Sequence, residues 1–491
     1  MKKSSSSTST TRLFARLNWL AATVFMISCL LLLQFQWRNS RLNAHQPLLF
    51  RLSNEPRVML YFFICFASVT WLVGFFSLGF VQFELGSSIS PRSKTEATSL
   101  TKKEHKKPLP STANITPAVP KAKLDVAILG GTGLVGRALA VRLANHPTLR
   151  LGFLIGSPDT AGKPIKQVWE RKEAILQKQY GSFWEALPFP DYLEGANVAS
   201  FEEIFDKVDP NKTVIISCVA PALGWMEDRL IASKFDVFSI SPHARTRPGV
   251  PLVVPEVNGI TELKELQKNV KGDVGRLIKS PNCVSCGVCL VLDAVRTAYG
   301  GLKEVSITTF QSLSGRGDAL YDRDLVTGNI LPLGRTEEDT NRKIREEVIR
   351  VLGEPDLPIS VTAQRVFTQR GHFVDVRVKT LLPVPSETHA ALALERYSPF
   401  AGTPFGSLPD APSQGPIRVS LEPKWPRPVQ CVALGMREDH GMTVHVGQLS
   451  TDDRVFDLTF SFVVDNVARG AYGAALLTAE VFSALEEAGG K

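Results

Sequence analysis

The chain has 491 residues, enough for two or three domains, and its 44% hydrophobic and 21% charged residues exclude a disordered chain. The formal net charge of +8 is uneven: residues 1–123 carry 16 Lys or Arg and 4 Asp or Glu, and residues 124–491 carry 40 and 44. A nucleic-acid-binding domain would place positive charge on its folded part, so this class of partner is excluded. The 7 cysteines are too few for a disulfide scaffold.

Two long uncharged segments lie within residues 1–85. Residues 17–37 and 58–83 each contain no charged side chain, and about 20 apolar residues are enough for a helix to cross a bilayer. We therefore predict two transmembrane helices, which attach the chain to a membrane if this region is retained. A targeting sequence or a mistaken start site would explain the same segments. Residues 86–123, rich in Ser, Thr, Pro and Lys, are predicted to be a disordered linker.

A dinucleotide-binding unit is predicted to begin at Leu124. An apolar run leads into the glycine turn GGTGLVG at 130–136, and a helix and a second apolar run at 149–156 follow. Such a turn lets a pyrophosphate approach the backbone at a helix N-terminus, although the glycines alone would also suit a tight turn without a ligand. Three further apolar runs lie at 213–220, 236–239 and 252–254. The alternation of strands and helices indicates a doubly wound parallel sheet.

Cys283 is predicted to lie at the start of a helix, because it follows an apolar strand and Pro281-Asn282. A helix N-terminus favours a thiolate, which is the nucleophile needed for attack on an acyl carbon. Cys286 and Cys289 continue the spacing of a metal or iron–sulfur site, but no fourth cysteine lies nearby. We predict that these two are small core residues and that the chain holds no metal, with the metal cluster as the alternative.

Seven ordered motifs in residues 124–491 resemble the aspartate-semialdehyde dehydrogenase family, in its archaeal and fungal branch. They are the glycine turn, SPDTAGK at 157–163, ARTRPGVPLVVPEVN at 244–258, SPNC at 280–283, QSLSGRG at 311–317, RVFTQRGH at 365–372 and DNVARG at 465–470. Several motifs in this order are far more specific than any one of them.

The resemblance implies a role for each matched residue. Cys283 would be the nucleophile and His372 the acid and base, while Arg365 would bind a substrate carboxylate and Arg245 a phosphate. The other implied substrate-binding residues are Asn282, Gln311 and Lys343. The implied cofactor-binding residues are Gly130, Thr132, Gly133, Leu134, Val135, Gly136, Ser157, Ser314, Gly315 and Asn466.

Several positions depart from the family pattern. Asp159 stands where Arg is usual, Ile240 replaces an Asn, and Val284 follows the nucleophile in place of Ser or Thr. The family's Glu-x-x-Lys pair has no clear match before Lys343, and we assign its glutamate to neither Glu337 nor Glu338. The departures bear on the substrate and on the cofactor, for which NADP is expected and NAD is the alternative.

The reaction that the resemblance implies is the reductive dephosphorylation of L-aspartyl 4-phosphate to L-aspartate 4-semialdehyde with NADPH. It passes through a Cys thioester and serves lysine, threonine and methionine biosynthesis. The alternatives are a related acyl reductase, of the malonyl-CoA reductase or N-acetyl-glutamyl-phosphate reductase type, and a membrane-tethered relative without catalysis. The expected partners are a small-molecule substrate and phosphate.

The fold that the resemblance implies has two domains, as in glyceraldehyde-3-phosphate dehydrogenase. Residues 124–281 and 458–491 would form a Rossmann-type NAD(P)-binding domain, and residues 282–457 an α+β catalytic and dimerisation domain, giving a homodimer or homotetramer. The Pro-rich stretch 399–428 is predicted to be a surface excursion on the catalytic domain. We expect the catalytic part to lie in the cytoplasm or in an organelle stroma.

Overall fold

The structure is a computed structural model and describes residues 124–269, 274–319, 321–334 and 339–489. The predicted spans at 17–37 and 58–83 and the linker at 86–123 lie outside these residues. Within the described ranges, none of the helices combines the length and the apolar character that crossing a bilayer requires.

A five-stranded parallel sheet forms the first unit. Its strands are β1 (Leu124–Leu129), β2 (Leu149–Ile155), β3 (Thr213–Ser217), β4 (Val237–Ser239) and β5 (Leu277–Lys279), in the spatial order β2-β1-β3-β4-β5. The helices along the same stretch are α1 (Leu134–Leu143), α2 (Ile165–Tyr180), α3 (Glu203–Lys207), α4 (Trp225–Ala232) and α5 (Ile260–Asn269). Alternate residues of β1 enter separate apolar clusters on the two faces of the sheet. The prediction of a doubly wound α/β nucleotide-binding fold is therefore confirmed.

A seven-stranded mixed sheet forms the second unit. Its strands are β6 (Leu302–Gln311), β7 (Leu331–Pro332), β8 (Ile359–Arg365), β9 (His372–Thr380), β10 (Ile417–Val419), β11 (Val444–Ser450) and β12 (Leu458–Val464), in the order β10-β11-β12-β9-β6-β8-β7. Its helices are α6 (Cys283–Ala298), α7 (Arg323–Val326), α8 (Thr340–Leu352), α9 (Glu387–Glu395) and α10 (Pro428–Glu438). Every second residue of β9 is buried, because one face of the sheet packs on α6, α8 and α9.

Two sequence predictions about strands are wrong. Leu458–Val464 is predicted within the nucleotide-binding domain, but it pairs with β9 and belongs to the seven-stranded sheet. Six of its seven residues are buried, so its sequence lacks the alternation typical of a sheet with one open face. The chain returns to the first sheet with the last helix, α11 (Gly473–Gly489). Residues 252–254 form only a bridge from Leu252 to Lys279, because the flanking prolines lack backbone N–H donors.

The Pro-rich stretch at 399–428 does not lie on the catalytic unit alone. Phe400 and Phe405 are buried in the apolar cluster that also contains residues of α1 and α11. Asp410 accepts a hydrogen bond from Arg142 of α1 at 3.0 Å. The excursion is therefore packed on the nucleotide-binding unit, which corrects the prediction.

Candidate active site

Cys283 is the first residue of α6, where the chain leaves the carboxyl end of β5. Asn282 caps this helix, and its Oδ1 accepts a hydrogen bond from the Val284 N–H at 3.0 Å. The thiol of Cys283 donates to the same oxygen at 3.7 Å. A Cβ added to Gly470 would lie 2.8 Å from the Cβ of Cys283, so glycine is required at the end of DNVARG.

His372 faces the sulfur from the first position of β9. Its Nε2 lies 3.1 Å from Sγ of Cys283, and the imidazole is fully buried. The Nδ1 atom accepts the backbone N–H of Ser312 at 3.0 Å, and the Ser312 hydroxyl lies at the same distance. Because an imidazole nitrogen that accepts an N–H carries no proton, we assign the proton of the neutral ring to Nε2, which donates to Sγ.

The electrostatic environment disfavours the charged forms of both groups. Burial, with the nearby charge of Arg365, holds the pKa of His372 well below its ordinary value. Burial raises the pKa of Cys283, although the charges of Arg365 and Arg245 oppose this shift. The helix N-terminus favours a thiolate at Cys283, and desolvation acts against it.

Arg365 and Gln311 lie side by side at the ends of β8 and β6, which pair in register at these two residues. The buried Arg365 donates from Nε to the Tyr321 hydroxyl at 2.9 Å and from Nη1 to the Ser312 carbonyl at 2.6 Å. Its Nη2 makes no hydrogen bond to any described residue. A Cβ added to the exposed Gly315 would lie 2.8 Å from Nη1 of Arg365 and 3.0 Å from Cε1 of His372. A side chain there would obstruct both groups.

Arg245 is linked to the nucleophile through Glu347 of α8. Arg245 donates from Nη1 to Glu347 Oε1 at 3.0 Å and from Nη2 to the Ile240 carbonyl at 2.6 Å, and its buried Nε has no partner among the described residues. Glu347 Oε2 accepts the Asn282 N–H at 2.6 Å and the Ser285 hydroxyl at 2.7 Å. The carboxylate therefore fixes the start of α6 against Arg245.

Lys343 lies one turn before Glu347 on α8, so both project from the same face of the helix. Lys343 is half-buried, and its ammonium makes no ion pair with any described residue. Lys343 therefore adds a positive charge to the helix face that carries Glu347. Glu337 and Glu338 lie outside the described residues.

The glycine turn lies at the carboxyl end of β1. Gly130 has φ of +81°, and a Cβ added to Gly136 would lie 2.6 Å from the carbonyl oxygen of Gly130, so both positions require glycine. Gly133 precedes α1 in an extended conformation. Thr132 and Val135 are half-buried and Leu134 is buried, while Ser157 is exposed just after β2. The backbone here fits a pyrophosphate at the N-terminus of α1.

Asn466 and Ser314, both predicted to bind the cofactor, are hydrogen-bonded to each other and to the surroundings of His372. The Asn466 amide donates to the Ser314 hydroxyl at 2.9 Å. Its Oδ1 accepts the Gly371 N–H at 2.9 Å and the Ser312 hydroxyl at 3.0 Å. These contacts tie both residues to the position of the imidazole, and their role toward a cofactor stays a prediction.

The structure places the predicted residues Asn282 and His372 in contact with Cys283 and the charges of Arg245 and Arg365 near it. The sequence did not identify four further residues of this site. Ser312 and Gly470 lie inside quoted motifs without an assigned role, whereas Tyr321 and Glu347 lie outside every motif. The contacts of Glu347 join residues 62 to 102 positions apart. Only the motif positions of Ser312 and Gly470 offered a signal in the sequence.

The comparisons with known proteins identify the family. The family described as "Semialdehyde dehydrogenase, NAD binding domain" matches residues 125–265. An aspartate-semialdehyde dehydrogenase of Aspergillus fumigatus is 30% identical over 379 residues, which are 74% of this chain and 97% of that protein. A malonyl CoA reductase (NADP) of Metallosphaera sedula is 31% identical over 373 residues, 73% of this chain and 96% of that protein.

A solved structure shows the same fold. The aspartate semialdehyde dehydrogenase of Candida albicans, crystallised with NADP, superposes with a TM-score of 0.60 at 23% identity, over 74% of this chain and 99% of that one. The parallel sheet with its glycine turn, joined to a cysteine–histidine pair, defines an oxidoreductase of the semialdehyde dehydrogenase class. Within this class, the chain belongs to the aspartate-semialdehyde dehydrogenase family.

Proposed function

We propose that this chain reduces L-aspartyl 4-phosphate to L-aspartate 4-semialdehyde, with release of phosphate. The observation that carries the proposal is the 3.1 Å contact between Cys283 Sγ and His372 Nε2, beside an arginine with an unused Nη2. The similarity to aspartate-semialdehyde dehydrogenases over 97% of the Aspergillus protein supports it. The product supplies lysine, threonine and methionine biosynthesis.

The substrate is held by its two anionic ends. Arg365, whose Nε and Nη1 are fixed by protein acceptors, offers Nη2 to the carboxylate, and Gln311 lies beside it in register. Lys343 and the unpaired Nε of Arg245 supply positive charge for the phosphate. Before the substrate binds, Asn282 accepts a hydrogen bond from the Cys283 thiol. The acyl carbon is thereby placed at Sγ of Cys283.

Cys283 and His372 have different roles in the reaction. Sγ bonds to the acyl carbon, the bond to phosphate breaks, and the thiol proton leaves with the phosphate, which gives a thioester. The Nε2–H of His372, which points at Sγ, then faces the oxygen on the same carbon and stabilises its developing charge. A bound NADPH would supply the hydride that reduces the thioester.

The cofactor is proposed to be NADP, with NAD as the alternative. The glycine turn suits a pyrophosphate, and the Candida albicans relative was crystallised with NADP. Asp159 is exposed at the end of β2, where an acid favours the ribose hydroxyls of NAD. The residues proposed to contact the cofactor are those of 130–136 together with Ser157, Ser314, Gly315 and Asn466.

A malonyl-CoA reductase is the second candidate. It is supported by the relative in Metallosphaera sedula, which is as similar to this chain as the Aspergillus enzyme is. Both substrates present a carboxylate to Arg365 and an acyl carbon to Cys283. They differ in the leaving group, which is either phosphate or a thiol.

One assay of the full chain separates these candidates. With aspartate semialdehyde, phosphate and NADP we expect NADP reduction that depends on phosphate, that disappears in Cys283→Ala and that persists in Cys289→Ala. Oxidation of NADPH by malonyl-CoA, without phosphate-dependent turnover, would support the second candidate. Absence of both activities would contradict the proposed function.

We propose that the chain forms a homodimer, or a tetramer built from such dimers, through the less covered face of the seven-stranded sheet. This face carries Phe310, Phe373, Asp375 and Arg377, all half-buried, and the two phenylalanine rings pack edge to face at 6.0 Å. Half-buried strand residues of mixed polarity suit a second copy of the same face. Sedimentation at twice or four times the chain mass is expected, and a monomer would contradict the proposal.

The sequence also supports a membrane attachment through the uncharged segments at 17–37 and 58–83, which we propose anchor the catalytic part. The full chain should then sediment with membranes and require detergent for release. Release by high salt alone would contradict an anchor.

A further inference from the structure

Two cysteines occupy the first turn of α6. Cys283 is the first residue of the helix and Cys286 follows three positions later. Helix geometry places Cα atoms three residues apart at about 5 Å, and the Cα atoms of disulfides are about 4.4–6.8 Å apart. The backbone spacing is therefore suitable for a bond between them.

The thiol of Cys286 is directed toward the start of the helix. It donates a hydrogen bond to the Pro281 carbonyl at 3.9 Å, so the sulfur lies back along the turn that contains Cys283. Cys286 is fully buried, and its pKa is raised by burial and by the neighbouring Cys283. Cys283 is partly exposed, so only one sulfur of the pair can be reached from outside.

We propose that Cys283 and Cys286 form a redox-modification site, in which a peroxide converts the pair to a reversible disulfide. This inference rests on the proposed function in that Cys283 is the reactive nucleophile. Two cysteines in a C-x-x-C spacing at a helix N-terminus are the arrangement that thiol–disulfide chemistry uses. No part of the proposed reaction requires Cys286.

The chemistry balances with the peroxide as the oxidant. The Cys283 sulfur attacks one peroxide oxygen and becomes a sulfenic acid, and the other oxygen leaves as water or an alcohol. The Cys286 sulfur then attacks Cys283 and displaces water. In total the two thiols lose two protons and two electrons, and the peroxide accepts both. A dithiol reductant reverses the bond by exchange.

Cys289 is the natural comparison, because it continues the same spacing but cannot take part. It lies six residues beyond Cys283, a rise of about 9 Å along the helix axis. It is fully buried in the apolar cluster around α6. The predicted partner of Cys283 is therefore Cys286 alone.

The consequence is protection of the nucleophile. A sulfenic acid without a neighbouring thiol is oxidised further to a sulfinic acid, which dithiols do not reduce. With Cys286 beside it, Cys283 stops at the disulfide. The pair would convert irreversible inactivation by peroxide into inactivation that a reductant reverses.

The test treats the full chain, Cys286→Ala and Cys289→Ala with hydrogen peroxide and then with dithiothreitol. We expect the parent chain and Cys289→Ala to lose two titratable thiols, to become lighter by two hydrogens, and to recover activity with dithiothreitol. Cys286→Ala should gain two oxygens at Cys283 and recover about tenfold less activity. Cys286→Ser, which retains a side chain of similar size, serves if the alanine variant does not fold.

The proposal is overturned if the parent chain and Cys286→Ala give the same oxidation products and the same recovery. It is also overturned if fragmentation mass spectrometry places the disulfide between Cys286 and Cys289. Thiol counts and masses require no turnover. A Cys283–Cys286 disulfide in a chain without semialdehyde activity would therefore contradict the proposed function but support the redox-modification site.

Discussion

Ser312 determines which nitrogen of His372 carries the proton. Its backbone N–H donates to Nδ1 at 3.0 Å, and its hydroxyl lies between Nδ1 and Oδ1 of Asn466, 3.0 Å from each. The backbone contact leaves the proton on Nε2, where it faces Cys283. The hydroxyl donates its proton to Asn466 and lies against Nδ1, so it holds the Asn466 amide beside the imidazole.

Replacement of Ser312 by Ala keeps the backbone contact and removes only the hydroxyl. We expect kcat to fall about five- to tenfold, equivalent to about 1 kcal/mol for one hydrogen bond, with KM for the semialdehyde unchanged. Ser306→Ala, on the strand β6 that precedes Ser312 and away from the imidazole, is the matched control. Steady-state kinetics check this, and equal kcat values in both variants would contradict the positioning role.

The sequence indicated the residues of the Cys283–His372 contact better than the residues that position them. Cys283, Arg365 and His372 lie in motifs whose order and spacing can be seen along the chain. Glu347 acts through contacts to residues 62 to 102 positions away, which become neighbours only when α8 packs beside α6. The spacing of motifs along the chain does not reveal contacts of this kind. Nor does it show that burial raises the pKa of Cys283.

At the scale of the element, the carboxyl ends of β3, β4 and β5 are joined by a buried ion pair. Lys279, the last residue of β5, donates to Glu227 of α4 at 2.7 Å and to the Ser239 hydroxyl at 2.6 Å, and both charged side chains are fully buried. Ser217 also donates to Glu227 at 2.7 Å. Burial lowers the pKa of Lys279 to about 8, although Glu227 opposes the shift.

Loss of one partner of this ion pair should lower the free energy of unfolding more than loss of both partners. Lys279→Met leaves Glu227 buried without its cation, and we expect the free energy of unfolding to fall by about 3–5 kcal/mol. The double variant Lys279→Met with Glu227→Leu removes both charges, and most of the loss should be recovered. Denaturant unfolding of the two variants checks this. Equal stabilities of the single and double variants would contradict the argument.

Element prediction from sequence succeeded where local pattern decides the outcome. The glycine turn and the strand β1 follow from sterics and from continuous apolar residues. The assignment of β12 failed because a strand buried on both faces has the same composition in either sheet, and only its pairing with β9 distinguishes them. The sequence around Lys279 did not identify its ion-pair partner, because Glu227 lies 52 residues earlier.

At the scale of the whole molecule, three distant segments meet at His146. Its Nε2 lies 2.9 Å from Asp410 of the Pro-rich excursion and 3.2 Å from Glu480 of α11. In the neutral ring, Nδ1 accepts the Leu149 N–H at 3.0 Å and Nε2 carries the proton, whereas a second proton on Nδ1 gives the imidazolium ion and ends that contact. Burial acts to lower the pKa of His146, but Asp410 and Glu480 outweigh it and the pKa is raised. The cluster fastens the excursion and the last helix to the first sheet.

The pH dependence of stability follows from the direction of this shift. Because the pKa of His146 is higher in the folded state than its ordinary value of 6.5, its contribution is complete below that value and disappears as pH rises through the folded pKa. We expect His146→Gln to cost about 2 kcal/mol near pH 6 and progressively less toward pH 9. Unfolding measured at several pH values checks this, and a difference that grows with pH would contradict it.

The central claim is that Cys283 forms a thioester with the substrate. Mixing the full chain with aspartate semialdehyde and NADP, without phosphate, should give a burst of one NADPH per active site and an acyl group on Cys283 in the peptide mass spectrum. Addition of phosphate should then release the acyl group and restart turnover. A burst without an adduct on Cys283, or the same burst from Cys283→Ala, would contradict the account.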